Sequence, residues 1–80
     1  MEHFQGNVSG IDVQAIPGQS VRSQTFISDS SRGKEIQVTS FEHELQTALE
    51  HAAARGVPVE VTFIEERGLN RLTRVRVLDR

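Results

Sequence analysis

The sequence predicts a mainly β protein, one domain over residues 1–80, with five strands and one helix in the order β-β-β-α-β-β. Three observations lead to this prediction. Five segments alternate apolar and polar residues, as strands with one buried side do. One segment repeats its apolar residues at spacings of three and four, as a helix does. A glycine interrupts the first alternating segment, which indicates a bulge or a bend.

The first strand is predicted from about His3 to Ile16, with the slip near Gly10. Its apolar residues share one parity before the slip, at Phe4 and Val8, and the other parity after it, at Ile11 and Val13. A strand that changes its buried side in this way can belong to two sheets. The residues "IPGQ" then turn the chain back.

The second and third strands are separated by the loop "DSSRG", whose residues favour turns. The positions predicted to face inward on these strands are Val21, Ser23, Thr25, Ile27, Ile36 and Val38. The polar residues of "SDSS" are the ones that a turn requires, so we interpret them as turn residues and not as a nucleophile.

The helix is predicted from about Phe41 to Arg55. Its apolar stripe consists of Phe41, Leu45, Ala48, Leu49 and Ala52. Thr39 or Ser40 is expected to cap its start, since Thr39 and Glu42 have capping-box spacing. Gly56 and the following proline are expected to end it.

The last two strands are predicted to form a hairpin around "ERGLN". In the first of them Val57, Val59, Val61 and Phe63 alternate with Glu60 and Thr62. In the second, Val75 and Val77 alternate with Arg74 and Arg76, and the phase slips after Leu72. We interpret Arg74 and Arg76 as residues on the water-facing side of this strand. There they can pair with Glu60 on the adjacent strand and with the nearby Glu65 or Glu66.

The bent first strand at Gly10 and the helix between the third and fourth strands resemble the OB-fold, the oligonucleotide- or oligosaccharide-binding fold. This resemblance implies a five-stranded Greek-key barrel whose helix, at about 41–55, caps one end. The alternative is a small α+β roll with the helix packed on one face of a sheet.

The resemblance also implies a site, because OB-fold ligands usually lie across the second and third strands and the flanking loops. The expected ligand is single-stranded nucleic acid. Gln19 would belong to the first flanking loop. The residues expected to bind are Arg22, Gln24, Phe26, Gln37, Arg67, Asn70 and Arg71.

Composition limits the other classes of function. Residues 1–65 carry nine acids and four basic residues, whereas residues 66–80 carry five arginines and two acids, so any anion site is local. There is no cysteine, and His43 and His51 are eight residues apart on the predicted helix, so we expect no metal and no cofactor. No catalytic motif is present, and we expect a non-enzymatic protein. We also expect no membrane segment and a cytoplasmic location.

A second hypothesis is a protein-interaction or self-assembly module. Phe26 has the outward parity between polar neighbours, and three roles are open to it: core filling after a register slip, contact with a subunit or partner, or base stacking. The other three phenylalanines, Phe4, Phe41 and Phe63, are expected in the core.

Overall fold

The computed structural model describes residues 1–14 and 22–78, which form five strands and one helix. The elements are β1 (Glu2–Gln14), β2 (Arg22–Asp29), β3 (Lys34–Ser40), α1 (His43–Arg55), β4 (Val59–Glu66) and β5 (Leu69–Val77). The predictions for Ile16, Gln19 and Val21 lie outside the described residues.

The strands close into a barrel in the order β1-β2-β3-β5-β4. Neighbouring strands are antiparallel except β3 and β5, whose parallel pairing joins Thr39 to Arg71. The predicted mainly β class, the element order and the OB-like small barrel are confirmed. The closed barrel excludes the open α+β roll.

β1 takes part in both halves of the barrel. Gly6 is opposite Val59 of β4, and the next residue, Asn7, is opposite Ser28 of β2. The register with β2 shifts between Val8 and Gly10, which confirms the predicted bulge. A Cβ atom on Gly6 would collide with the carbonyl group of Ser28, so the close approach that requires glycine is at position 6.

The core consists of the buried side chains of Ile27, Val38, Leu49, Ala52, Val59, Val61, Phe63 and Leu72. The inward parity of β2 is confirmed, because Ser23, Thr25 and Ile27 are fully buried. Val13 shares the inward parity of Ile11 but is 46% exposed near the end of β1, so its prediction as a buried residue is wrong.

The second predicted slip lies on β5. Thr62 is opposite Arg74 and Phe63 is opposite Leu72, so Thr73 is the extra residue of a bulge. The Thr73 hydroxyl donates a hydrogen bond to the carbonyl oxygen of Thr62 at 3.1 Å. Thr62 was predicted to face water, yet it is only 7% exposed, and its hydroxyl lies 3.0 Å from Nδ1 of His3 on β1.

Helix α1 begins later than predicted, and the predicted cap is wrong. Glu42 is the N-cap residue, and its side chain makes no capping hydrogen bond. Thr39 and Ser40 belong to β3, where they are opposite residues of β2, and the Ser40 hydroxyl donates to the carbonyl oxygen of Glu42. The predicted end is confirmed: Gly56 has a left-handed φ of 68°.

Phe41 lies between β3 and α1 and is 46% exposed, so its predicted place in the core is wrong. Phe41 follows Ser40, the last residue of β3, and precedes the first residues of α1, and its side chain is not among those that pack against the core. The helix instead buries Leu49 and Ala52, with Leu45 packed against the core, and it contacts β1, β3 and β5. No helix in the described parts of the chain is long and apolar enough to cross a membrane.

Candidate binding surface

The outer side of β2 and β3 carries four of the predicted site residues. Arg22, Gln24 and Phe26 alternate with the buried residues of β2. Gln37 of β3 is opposite Phe26, and its side-chain amide donates to the Gln24 side-chain oxygen at 2.7 Å. The two glutamines therefore form a hydrogen-bonded pair across the two strands.

The remaining predicted residues lie on the hairpin of β4 and β5, although only Arg67 is in its loop. The turn consists of Arg67 and Gly68, with φ of 49° and 80°, which is the pattern of a two-residue type I′ turn. Asn70 and Arg71 were expected in the loop, but both belong to β5. The short turn lets β5 begin at Leu69.

Asn70 connects the hairpin to β3. Its side-chain amide donates to the carbonyl oxygen of Gln37 at 2.9 Å. Because Gln37 also contacts Gln24, three of the predicted residues form one hydrogen-bonded row from β2 to β5. We call the outer side of β2, β3 and the first half of β5, with Phe41 at its edge, the β2–β3–β5 face.

Phe26 is half-buried on this face and lies against Gly10 of β1. Gly10 is opposite Phe26, and a Cβ atom on Gly10 would be 3.5 Å from the Cδ2 atom of the ring. An aromatic ring that covers a cross-strand glycine protects the backbone there. This position excludes core filling, since Phe26 is half-buried and is not among the residues that pack against the core.

Arg22 is half-buried at the start of β2, opposite Gln14. Its Nε atom is enclosed and has no hydrogen-bond partner among the described residues. Removing a guanidinium nitrogen from water without a hydrogen-bond partner is energetically unfavourable.

The residue that the sequence reasoning missed is Phe41. Together with Glu66, Arg67, Leu69 and Arg71 it lines a depression of about 520 Å³. Strand parity does not reveal its exposure, because Thr39 has the same parity as Phe41 and is buried. The sequence pattern favours the core for Phe41, because its spacing from Leu45 fits the apolar stripe of a helix.

The charge at this depression is mixed. Nε and Nη2 of Arg71 donate to the two carboxylate oxygens of Glu66 at 3.1 and 3.2 Å. These hydrogen bonds and the charge of Glu66 raise the pKa of Arg71, and the charge of Glu42 adds to this effect. Arg67 is exposed at the tip of the turn. Farther along β5, Arg76 lies 3.9 Å from Glu60, which confirms the predicted pairing.

The other polar cluster lies at the opposite end of β2. The Ser28 hydroxyl donates to Glu35 at 2.7 Å, and the Ser31 hydroxyl donates to Asp29 at 2.6 Å. The bond from Ser31, with the charge of Arg32, lowers the pKa of Asp29. Within the described ranges no three histidine, aspartate or glutamate side chains are grouped as metal ligands.

Comparisons of this chain with protein-family models, with curated proteins and with solved structures give no match.

Proposed function

We propose that this chain is a non-catalytic binding module that takes single-stranded nucleic acid across the β2–β3–β5 face. The observation that carries the proposal is the position of Phe41, a residue that is 46% exposed and lines one depression with Arg67 and Arg71. Exposed rings beside arginines are what binding to single strands requires, because bases stack on the rings while cations contact the phosphates.

The β2–β3–β5 face has side chains for each kind of contact that this proposal requires. Phe26 and Phe41 are the stacking platforms, and each stacked base contributes about 1–3 kcal/mol. Arg22, Arg67 and Arg71 contact phosphates. The amide groups of Gln24, Gln37 and Asn70 are already hydrogen-bonded to protein groups and hold the strands in register.

The expected binding is weak and sensitive to salt. If three arginines each neutralise one phosphate, the association constant falls as salt is added. A plot of its logarithm against the logarithm of the salt concentration is expected to have a slope of about −2. The measurement is fluorescence anisotropy with labelled oligonucleotides of about 20 nucleotides at about 50 mM salt.

The β5 strand offers a matched pair of variants for this measurement. Arg71→Ala and Arg76→Ala each remove one arginine that is paired with a glutamate, at positions about 15 Å apart along the strand. Arg71→Ala is expected to weaken binding about threefold to tenfold, and Arg76→Ala is expected to leave it unchanged. Equal losses of affinity in the two variants would reject the proposal. So would the absence of binding by the unmodified protein at high micromolar concentration.

Phe41→Leu tests the stacking contact separately, since leucine keeps an apolar side chain but has no aromatic ring. Loss of one stacked base predicts binding weaker by about fivefold or more, with an unchanged salt slope. If Phe41→Leu binds as tightly as the unmodified protein, Phe41 is not a stacking platform.

The same depression favours a second candidate function, contact with another protein or a second copy. Phe41 and Leu69 offer apolar surface between side chains of both charges, which is typical of a protein interface. Light scattering after size-exclusion chromatography distinguishes self-association from the nucleic-acid-binding function. A monomer whose elution is unchanged by Phe26→Ser and by Phe41→Ser would count against self-association.

A further inference from the structure

The tight turn between β4 and β5 sets Glu66 and Arg71 on the same side of the hairpin. Arg71 is opposite Ile64, and Glu66 is opposite Leu69, two residues nearer the turn. The two side chains are therefore diagonal neighbours, close enough for long side chains to meet. Their contact is bidentate, with Nε and Nη2 of Arg71 on the two carboxylate oxygens.

This pair of parallel hydrogen bonds is also the geometry in which arginine binds a phosphate group. A guanidinium group has one such Nε edge, so a carboxylate and a phosphate cannot both occupy it. The pair is exposed, with 41% of the Arg71 side chain and 51% of the Glu66 side chain accessible. An exposed ion pair is weak, so an incoming anion can replace its carboxylate.

We infer that Glu66 occupies, in the free protein, the place on Arg71 that a phosphodiester group of the ligand takes on binding. Glu66 is thus a specificity-determining residue. An anion binds Arg71 only if it displaces the Glu66 carboxylate from the guanidinium group. The inference rests on the proposed function, and it identifies the Nε edge of Arg71 as a phosphate position.

The direct test is Glu66→Gln, which keeps the size of the side chain and removes its charge. Anisotropy with the same oligonucleotides is expected to show binding about threefold to fivefold tighter than that of the unmodified protein. The gain is expected to disappear at about 0.5 M salt, where exposed charges are screened.

Two other glutamates provide controls. Glu42 acts on Arg71 through its charge without a hydrogen bond to it, so Glu42→Gln measures the effect of a nearby charge alone. Glu60 is paired with Arg76, so Glu60→Gln measures the release of an arginine outside the β2–β3–β5 face. Each is expected to change the affinity less than twofold.

Combination with Arg71→Ala decides between competition and simple repulsion. If Glu66 acts by holding Arg71, then Glu66→Gln gives no gain once Arg71 is absent. A gain of the same size in the Arg71→Ala background, or a gain equal to that of Glu42→Gln, would overturn the inference while leaving the proposed function intact. Absence of binding by both the unmodified protein and Glu66→Gln would overturn both.

Discussion

Thr25 carries a hydroxyl group into the interior of the barrel. It is fully buried, and its neighbours in the sheet are Ile11 on β1 and Val38 on β3. Its Oγ1 atom has no hydrogen-bond partner among the described residues, and the same holds for the hydroxyl of Ser23. A buried hydroxyl without a partner loses the hydrogen bonds it made with water in the unfolded chain.

Thr25→Val is therefore expected to stabilise the protein. Valine has nearly the same shape and no polar atom, so the substitution removes the unpaired group and leaves the packing in place. The free energy of unfolding in urea is expected to rise by about 1 kcal/mol.

Thr73→Val is the matched control for this substitution, since the Thr73 hydroxyl does donate a hydrogen bond, to Thr62. Here the free energy of unfolding is expected to fall by about 1 kcal/mol. If both substitutions destabilise the protein to the same degree, the hydroxyl of Thr25 has a partner in solution.

At the scale of the element, helix α1 is well capped at its C-terminus and poorly capped at its N-terminus. At its C-terminus the left-handed Gly56 donates its backbone N–H to a carbonyl of the last turn, and Val57 donates to Ala52. At its N-terminus the long side chain of Glu42 makes no capping hydrogen bond. Shorter side chains accept bonds from the first free N–H groups far better.

Glu42→Asp is expected to stabilise the helix, because aspartate keeps the negative charge and is among the preferred N-cap residues. The expected rise in the free energy of unfolding is about 0.5–1 kcal/mol, seen as a higher urea midpoint with an unchanged slope. Gly56→Ala serves as the opposite control, with an expected loss of about 1 kcal/mol at a positive φ. An unchanged midpoint for Glu42→Asp would indicate that the first turn already has its partners.

At the scale of the whole molecule, β1 holds the barrel together because it pairs with β4 through its first half and with β2 through its second. The change of partner occurs between Gly6 and Asn7, where the backbones of β1 and β2 are in close contact. Closure of the barrel therefore depends on the absence of a side chain at position 6.

Gly6→Ala is expected to destabilise the fold by about 2 kcal/mol or more, because the new Cβ atom meets a backbone carbonyl that cannot move freely. Gly10→Ala in the same strand is the control, since its Cβ atom would make only an ordinary contact with Phe26. Urea unfolding of both variants checks this expectation. Equal stabilities would show that the two strands can separate at Gly6 without loss.

The candidate site shows how far sequence patterns reach. The outward parity of Arg22, Gln24 and Phe26 is readable because the side chains of a strand alternate, and this prediction is confirmed. The bond from Asn70 to Gln37 joins residues 33 positions apart, so no local pattern contains it. The pairing of Glu66 with Arg71 depends on a two-residue turn that places the two side chains diagonally.

The sequence by itself determined the properties that depend on neighbours along the chain: the five strands, the slip near Gly10, and the end of the helix at Gly56. Tertiary structure alone decided the exposure of Phe41 and the need for glycine at position 6. The physical reason is that periodicity and backbone preference act over a few residues, whereas exposure and close approach are set by strands that meet only when the barrel closes.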